Sequence, residues 1–188
     1  MDKIVIDIET KNTFADVGGD AYLKNLDMSV VGVYSYDRNE YLCFDEHELP
    51  ALGELFKRTG LIIGFCINRF DVPVLEKYFP FKLSAIPRLD ILEEIELALG
   101  HRIKLDTLAK TNLGGKGKSG DGLDAPRLYR EGKMEELKAY CLQDVKLTKE
   151  LYDLGRKQKH LLVPTRYSSE LVKAEFDWTE QTLPATLF

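Results

Sequence analysis

Cysteine is scarce in this sequence of 188 residues, which has only Cys43, Cys66 and Cys141. An odd number of cysteines without a CxxC spacing gives no support to a disulfide framework or a zinc site. The three histidines also lack the spacing of metal ligands. We therefore interpret the cysteines as small apolar fillers and look elsewhere for a reactive site.

Long apolar runs are missing as well. There is no stretch of about 20 apolar residues, the length that a membrane span needs. The first residues, Met1-Asp2-Lys3, lead straight into Ile4-Val5-Ile6, which is not the pattern of a signal peptide. With 44% hydrophobic and 30% charged residues, the composition is typical of a globular protein. We expect a cytoplasmic protein without a membrane partner, in the size range of one compact domain.

Positive charge is in deficit, because 26 Lys and Arg stand against 31 Asp and Glu, for a net charge of -5. Phosphate binding depends largely on Lys and Arg, so this balance argues at first against a nucleic-acid partner. Divalent cations held by carboxylates would restore positive charge at such a site. Net charge alone therefore does not exclude nucleic acid.

The order of the predicted elements indicates an α/β fold. Residues 3–9 alternate as a strand, with Ile4, Ile6 and Ile8 on one face and two acids on the other. A hairpin is predicted over 28–44, a helix over 48–57 and a buried strand over 61–63. These elements favour a central mixed sheet covered by helices.

The second half of the sequence is mostly helical in pattern. Helices are predicted at 72–79, 90–99, 104–112 and 134–154, while residues 114–122, with five glycines and two lysines, predict a loop. We take residues 1–155 as one domain. Residues 156–188 are an extension without an assigned fold, expected to pack on the same domain.

Acidic residues occupy positions where apolar ones are expected. Asp7 and Glu9 share one face of the first strand, at i and i+2, about 7 Å apart along the chain. Tyr140 and Asp144 are one turn apart on the apolar row of the last helix. Asp71 is expected where a strand gives way to a helix. Asp and Glu are rarely buried unless they are paired or bind a metal.

Each acid alone has an ordinary explanation. Asp71 suits a helix cap, Asp144 suits a partner for a buried hydroxyl or arginine, and the two strand acids suit an exposed face. Together, the four acids favour hard divalent cations, Mg²⁺ or Mn²⁺, which prefer oxygen ligands. Two such ions about 3.5–4 Å apart can hydrolyse a phosphodiester. The Tyr140 hydroxyl would orient the attacking water, because a pKa near 10 makes it a poor base.

Three short segments in this order resemble the DEDD exonucleases, tyrosine subtype, of the DnaQ-like, ribonuclease H-like superfamily. They are Asp7-Ile8-Glu9-Thr10, Gly64-Phe65-Cys66-Ile67-Asn68-Arg69-Phe70-Asp71-Val72-Pro73 and Tyr140-Cys141-Leu142-Gln143-Asp144. The resemblance covers roughly residues 2–155 and is close to the proofreading domains of family B DNA polymerases and to stand-alone relatives. One departure concerns the asparagine of the second motif, which is displaced here to Asn68.

The resemblance implies a ribonuclease H-like fold, metal ligation by the four acids and hydrolysis from a free 3′ end. It implies a single-stranded substrate, DNA or RNA, and a stand-alone enzyme or one recruited by a helicase or polymerase. Six residues are candidates for contact with nucleic acid: Thr10, Phe14, Asn68, Phe70, Lys116 and Lys118. Core burial of Phe70 and simple solvation of the two lysines are the alternatives.

Two other functions stay open on the same fold. One is a nucleic-acid-binding module without turnover, which retention of all five site residues disfavours. The other is an endonuclease, because a fold does not fix the polarity of cleavage. The tyrosine one turn before Asp144 favours the exonuclease.

Overall fold

The computed structural model describes residues 1–117, 124–166, 168 and 170–178. A five-stranded sheet forms its centre, with the strands in the order β3-β2-β1-β4-β5. Strand β1 pairs antiparallel with β2 and parallel with β4, so the sheet is mixed, as predicted. The strand bounds are β1 Asp2–Thr10, β2 Met28–Ser35, β3 Glu40–Asp45, β4 Thr59–Gly64 and β5 Arg88–Asp90.

Helices cover both faces of the sheet. Their bounds are α1 Leu49–Lys57, α2 Asp71–Leu75, α3 Ile91–Leu99, α4 Leu105–Asn112, α5 Asp124–Arg130 and α6 Met134–Gln158. Helices α1 and α2 pack against the face that carries Ile4, Ile6 and Ile8. Helices α3, α4 and α6 pack against the face that carries Val5, and α5 packs on α6.

The elements predicted from periodicity are present, with bounds shifted by a few residues. The predicted helix over 72–79 is shorter, because α2 ends at Leu75 and a 3-10 turn over Glu76–Tyr78 follows it. No element was predicted for the residues of α5. Of the predicted glycine-rich loop, residues 114–117 lack helix and strand, and 118–122 lie outside the described residues.

The described part of the C-terminal extension continues the same core. Residues 156–158 complete α6, and an antiparallel hairpin follows, with β6 at His160–Pro164 and β7 at Leu171–Glu175. Trp178 stacks on Tyr152 of α6, with ring centroids 5.7 Å apart, and on Phe176 at 4.3 Å. Among the described residues, no helix has the length and apolar character that a membrane span requires.

Candidate active site

Three carboxylates meet where α6 crosses the central strand. Asp7 and Glu9 of β1 and Asp144 of α6 each offer an oxygen, and these oxygens all lie within 4.8 Å of one another. Asp144 is buried, at 2% exposure, while Asp7 and Glu9 are partly buried. We refer to Asp7, Glu9 and Asp144 as the acidic cluster; it includes three of the four predicted acids.

A glycine lets the helix come close enough to form this cluster. Gly32 of β2 lies opposite Asp7 in the strand pairing. A Cβ atom on Gly32 would lie 2.8 Å from Cγ2 of Val145 and 2.9 Å from Sγ of Cys141. These two α6 residues fill the space that any larger side chain would need, so helix and sheet are in direct contact beside Asp7.

The fourth acid, Asp71, lies outside that group of three but contacts the same strand. Its Oδ1 accepts a hydrogen bond of 3.0 Å from the main-chain N–H of Ile8, between Asp7 and Glu9. Strand β4 pairs with β1 only as far as Val5, so this carboxylate serves an amide that lies beyond the end of the β4 ladder. Asp71 is buried, at 3% exposure.

This contact corrects the alternative interpretation of Asp71 as a helix cap. The residue lies inside α2, whose N-cap is Phe70, without a side-chain cap. The carboxylate that does cap a helix here is Asp90, which accepts from the N–H groups of Leu92 and Glu93 at the start of α3. The Asp71 carboxylate instead accepts a hydrogen bond from the buried main-chain N–H of Ile8 on β1, which needs an acceptor.

Asp90 also holds the loop that carries Asp71. Its two carboxylate oxygens accept from the main-chain N–H groups of Cys66, at 2.8 Å, and Asn68, at 3.0 Å. Cys66 adopts a positive φ of 70°, which turns the chain sharply after β4. One buried acid at the end of β5 thus fixes both the start of α3 and the approach to α2.

Tyr140 is 8% exposed on α6. Burial raises the pKa of its hydroxyl well above the ordinary value, and the nearby charges of Glu9, Asp144 and Asp7 raise it further. The hydroxyl is therefore within the electrostatic field of the whole acidic cluster and keeps its proton at neutral pH. It can donate a hydrogen bond or accept one, and it is unsuited to act as a base.

The donor set of the acidic cluster fits a hard divalent cation. The three converging ligands are carboxylate oxygens, which Mg²⁺ and Mn²⁺ prefer over softer metals. Gathering three like charges this closely is unfavourable unless protons or cations offset the repulsion. Asp7, Glu9 and Asp144 are therefore the residues that would hold such an ion, and Asp71 of α2 contacts the same strand through Ile8.

Three candidates for nucleic-acid contact lie next to β1. Thr10 ends the strand, and its hydroxyl donates to the carbonyl of Asn12 at 2.8 Å. Phe14 is 39% exposed and meets Phe70 edge to face, with centroids 5.9 Å apart. Phe70 is partly buried and packs against the apolar cluster on the other face of the sheet. Contact between these three residues and nucleic acid stays a prediction.

The other candidates are less favourably placed. The Asn68 side chain donates to Glu93 and accepts from Nε of Arg88 at 2.7 Å, so both ends of its amide bond within the protein. Lys116 is exposed and forms an ion pair of 3.1 Å with Glu150 of α6. Lys118 lies outside the described residues. Contact between these three side chains and nucleic acid stays a prediction.

Comparison with known proteins identifies the fold family. A sequence profile of the RNase H superfamily matches residues 4–155, most of the chain. This chain belongs to the RNase H superfamily. No curated protein sequence matches it significantly. Its five-stranded mixed sheet with helices on both faces is the architecture expected from the sequence motifs.

Solved structures with this RNase H fold support the assignment. The family B DNA polymerase of the hyperthermophilic archaeon Pyrobaculum calidifontis matches with a TM-score of 0.61 and 18% identity over 82% of this chain. Exonuclease I of E. coli, in complex with a 5cy-dT13 oligonucleotide, matches with a TM-score of 0.56 and 15% identity over 84%. A further exonuclease I structure matches with a TM-score of 0.57 and 16% identity over 83% of this chain. The chain spans 24% of the polymerase and 40% of the first exonuclease I chain.

Two residues that organise the site were not singled out from the sequence. Gly32 interrupts the apolar run of β2, and an isolated glycine in a strand is a signal of close backbone approach. Asp90 precedes an apolar helical segment, as an N-cap residue does. These signals identify a close contact and a cap, but they do not reveal that both serve the acidic site.

Proposed function

We propose that this chain is a metal-dependent 3′-to-5′ exonuclease that hydrolyses single-stranded nucleic acid, of the DEDD type with a tyrosine. The observation that carries the proposal is the convergence of Asp7, Glu9 and Asp144, whose charges all act on the Tyr140 hydroxyl. Membership of the RNase H superfamily and the likeness to exonuclease I add support. Neither fixes the reaction, because one fold serves several functions.

The acids of the site have separate tasks in this proposal. Asp7, Glu9 and Asp144 would hold two divalent cations, with Asp71 completing the set of ligands. When bound, these cations supply an activated water and stabilise the charge on the phosphate and the leaving oxygen. Asp71 is held against β1 by the hydrogen bond from the main-chain N–H of Ile8, which lies between Asp7 and Glu9.

Tyr140 would position the attacking water. Its hydroxyl keeps its proton, because burial and three nearby acids hold its pKa above the ordinary value. A protonated hydroxyl can accept a hydrogen bond from the water while donating its own to a phosphate oxygen or a carboxylate. Such positioning contributes about 10²-fold or more to the rate of a proton-handling step.

The aromatic pair formed by Phe14 and Phe70 favours a single-stranded substrate. Phe14 is exposed, and its ring is held edge to face by Phe70, which directly precedes Asp71. Unpaired bases stack on such rings without regard to sequence, whereas the bases of a duplex already stack on one another. Thr10, at the end of β1, would contact the 3′-terminal nucleotide.

Strand-end labelling tests the proposal. The protein is incubated with single-stranded DNA or RNA labelled at the 5′ end or at the 3′ end, in Mg²⁺, Mn²⁺ or EDTA. The exonuclease predicts a one-nucleotide ladder from the 5′-labelled strand, release of labelled mononucleotide from the 3′-labelled strand, and no product in EDTA. Internal cuts would establish the endonuclease. Binding without products would establish the nucleic-acid-binding module without turnover. Either outcome would refute the exonuclease.

Recruitment by a helicase or polymerase and a cytoplasmic location stay predictions from the sequence. So does the division of the chain at residue 155. The choice between DNA and RNA depends on contact with the 2′-hydroxyl and is decided by the same labelling experiment run with both strands.

A further inference from the structure

Two cysteine thiols lie beside the acidic cluster. Asp7, Gly32 and Cys43 are neighbours across three adjacent strands, because Gly32 pairs with Asp7 on one side and with Cys43 on the other. Cys141 of α6 lies over Gly32, with Sγ 2.9 Å from where a Cβ would be. Its sulfur is therefore between Asp7 and Cys43, above the gap that glycine leaves in this row.

The two thiols are neighbours. Cys43 pairs with Gly32, over which Sγ of Cys141 lies, and the Cys141 thiol lowers the pKa of the Cys43 thiol. On its other side, Sγ of Cys141 is 3.4 Å from the main-chain oxygen of Asp7 and 3.8 Å from its Oδ2. Cys141 is completely buried, whereas Cys43, on the edge strand β3, is partly exposed. A small oxidant from solvent can therefore reach Cys43 first.

The surroundings of Cys43 favour its oxidation. The neighbouring Cys141 thiol lowers the pKa of the Cys43 thiol, and the positive charge of Lys138 acts in the same direction, against the effect of burial. The Lys138 ammonium is fixed nearby by an ion pair of 3.4 Å with Asp45. The carboxylates of Glu48 and Asp45 act against this effect, but the pKa of Cys43 is lowered overall. Partly exposed thiols with a lowered pKa react most readily with peroxides. Cys66, by contrast, has a pKa that burial raises.

We propose that Cys43 and Cys141 form a site of reversible thiol oxidation, at which hydrogen peroxide converts the two thiols into a disulfide that disables the acidic cluster. Peroxide transfers one oxygen to the Cys43 sulfur, giving a sulfenic acid and one water. The Cys141 sulfur then bonds to the Cys43 sulfur, and the displaced hydroxide leaves with the Cys141 proton as a second water. The thiols lose two electrons, the peroxide gains them, and a dithiol reductant reverses the step.

The new bond would change the site because of where Cys141 lies. A covalent sulfur–sulfur bond is much shorter than any non-bonded distance between two sulfur atoms. Closing it draws Cys141 toward β3 and away from Asp7. Tyr140 is the preceding residue and Asp144 follows within one turn, so both move relative to Asp7 and Glu9. The expected loss of turnover rests on the proposed function, whereas formation of the disulfide does not.

The test compares Cys66→Ser with Cys43→Ser/Cys66→Ser, so that the third cysteine cannot form dimers or mask the result. Both proteins are treated with hydrogen peroxide and analysed by intact mass and peptide mapping, then again after dithiothreitol. The Cys66→Ser protein should lose the mass of two hydrogens through a Cys43–Cys141 linkage and regain it on reduction. The double variant should not. A gain of oxygen atoms without this linkage, a dimer or an unchanged mass in Cys66→Ser would overturn the site.

Two functional readouts test the effect on the acidic cluster. The rise in Tm on addition of Mn²⁺ should shrink in oxidised Cys66→Ser and return on reduction. Single-turnover cleavage of a 5′-labelled strand should slow at least about tenfold, as expected for a displaced catalytic group. If the disulfide forms while the Mn²⁺ response is unchanged, the proposed inactivation is wrong. Because mass and Mn²⁺ response need no turnover, they stand even if the proposed function fails.

Discussion

Tyr140 and Asp144 lie one helical turn apart on α6, and we expect their conservative variants to fail differently. Tyr140→Phe removes only the hydroxyl that we propose positions the attacking water, so kcat should fall about 10²-fold while metal affinity stays the same. Asp144→Asn removes an anionic ligand, so metal binding and turnover should both weaken, and added Mn²⁺ should recover part of the loss. Calorimetric Mn²⁺ titration and single-turnover kinetics measure both quantities.

The pH dependence of these variants is a further check on Tyr140. Its raised pKa means that the hydroxyl stays protonated between pH 7 and 9. Wild type and Tyr140→Phe should therefore show parallel pH profiles in that range. An active Tyr140→Phe, or a rising limb present in wild type and absent from the variant, would contradict the positioning role.

Asp71 is expected to combine a structural and a chemical role, which two substitutions separate. Asp71→Asn keeps an oxygen that can accept from Ile8 N–H, so stability should change little while turnover falls. Asp71→Ala leaves that buried amide without its side-chain acceptor and should also cost about 1–3 kcal/mol of unfolding free energy. Urea denaturation and turnover assays measure the two effects. Equal loss of stability in both variants would show that the hydrogen bond to Ile8 does not contribute to the unfolding free energy.

At the scale of elements, the close contact between α6 and the sheet is the feature that forms the site. Gly32→Ala would place a methyl group 2.8 Å from Val145 and 2.9 Å from Cys141, so α6 must shift. We expect a loss of about 1–3 kcal/mol in stability from overpacking. A shift of about 1 Å at the acids would cost roughly 10²-fold in turnover.

Gly53→Ala is the matched control for this substitution. Gly53 is also buried, but it lies within helix α1, and its added Cβ would meet the Phe79 ring at an ordinary 3.4 Å. Alanine also favours a helix over glycine, so stability and turnover should stay near those of wild type. If Gly32→Ala behaves like Gly53→Ala in both assays, close approach of α6 is not required.

Local sequence patterns predicted the elements well and their contacts less well. Alternation over residues 3–9 identified β1 and the face with Asp7 and Glu9, because a strand has a period of two. Helical spacing placed Tyr140 and Asp144 on one row of α6. The contact of Asp71 with Ile8 has no local signal, because it depends on β4 ending before β1 does. The proximity of Cys43 on β3 to Cys141 on α6 was likewise hidden, because the two residues are 98 positions apart and only the tertiary fold brings them together.

At the scale of the whole molecule, the C-terminal hairpin shares its core with the helices that pack on the central sheet. Trp178, the single tryptophan, is 5% exposed, covers Gly155 of α6 and donates from Nε1 to Glu94 at 3.2 Å. Trp178→Ala should therefore cost about 3–5 kcal/mol of unfolding free energy. Leu171→Ala, at a residue 47% exposed on β7, should change it by no more than about 0.5 kcal/mol.

Denaturation followed by circular dichroism measures both variants on one scale. A Trp178→Ala protein as stable as wild type would mean that the residues after α6 fold independently of the core.

The composition of this segment did not predict its hairpin, because its alternation is weak and its burial comes from α4 and α6, which are distant in sequence. The overall α/β architecture was predictable because it depends on the order of elements.

Stepwise shortening of a 5′-labelled single strand in Mg²⁺, compared between wild type and Asp7→Ala, is the most direct test of the acidic cluster as a nuclease site. Asp106→Ala removes an acid outside the acidic cluster, which forms an ion pair with Lys110, and controls for the loss of a carboxylate as such. Asp7→Ala, purified in the same way, controls for contaminating nucleases. Wild type and Asp106→Ala should shorten the strand one nucleotide at a time from the 3′ end, and Asp7→Ala should remain folded and inactive. Near-wild-type turnover by Asp7→Ala, or cleavage that persists in EDTA, would contradict the metal-dependent site.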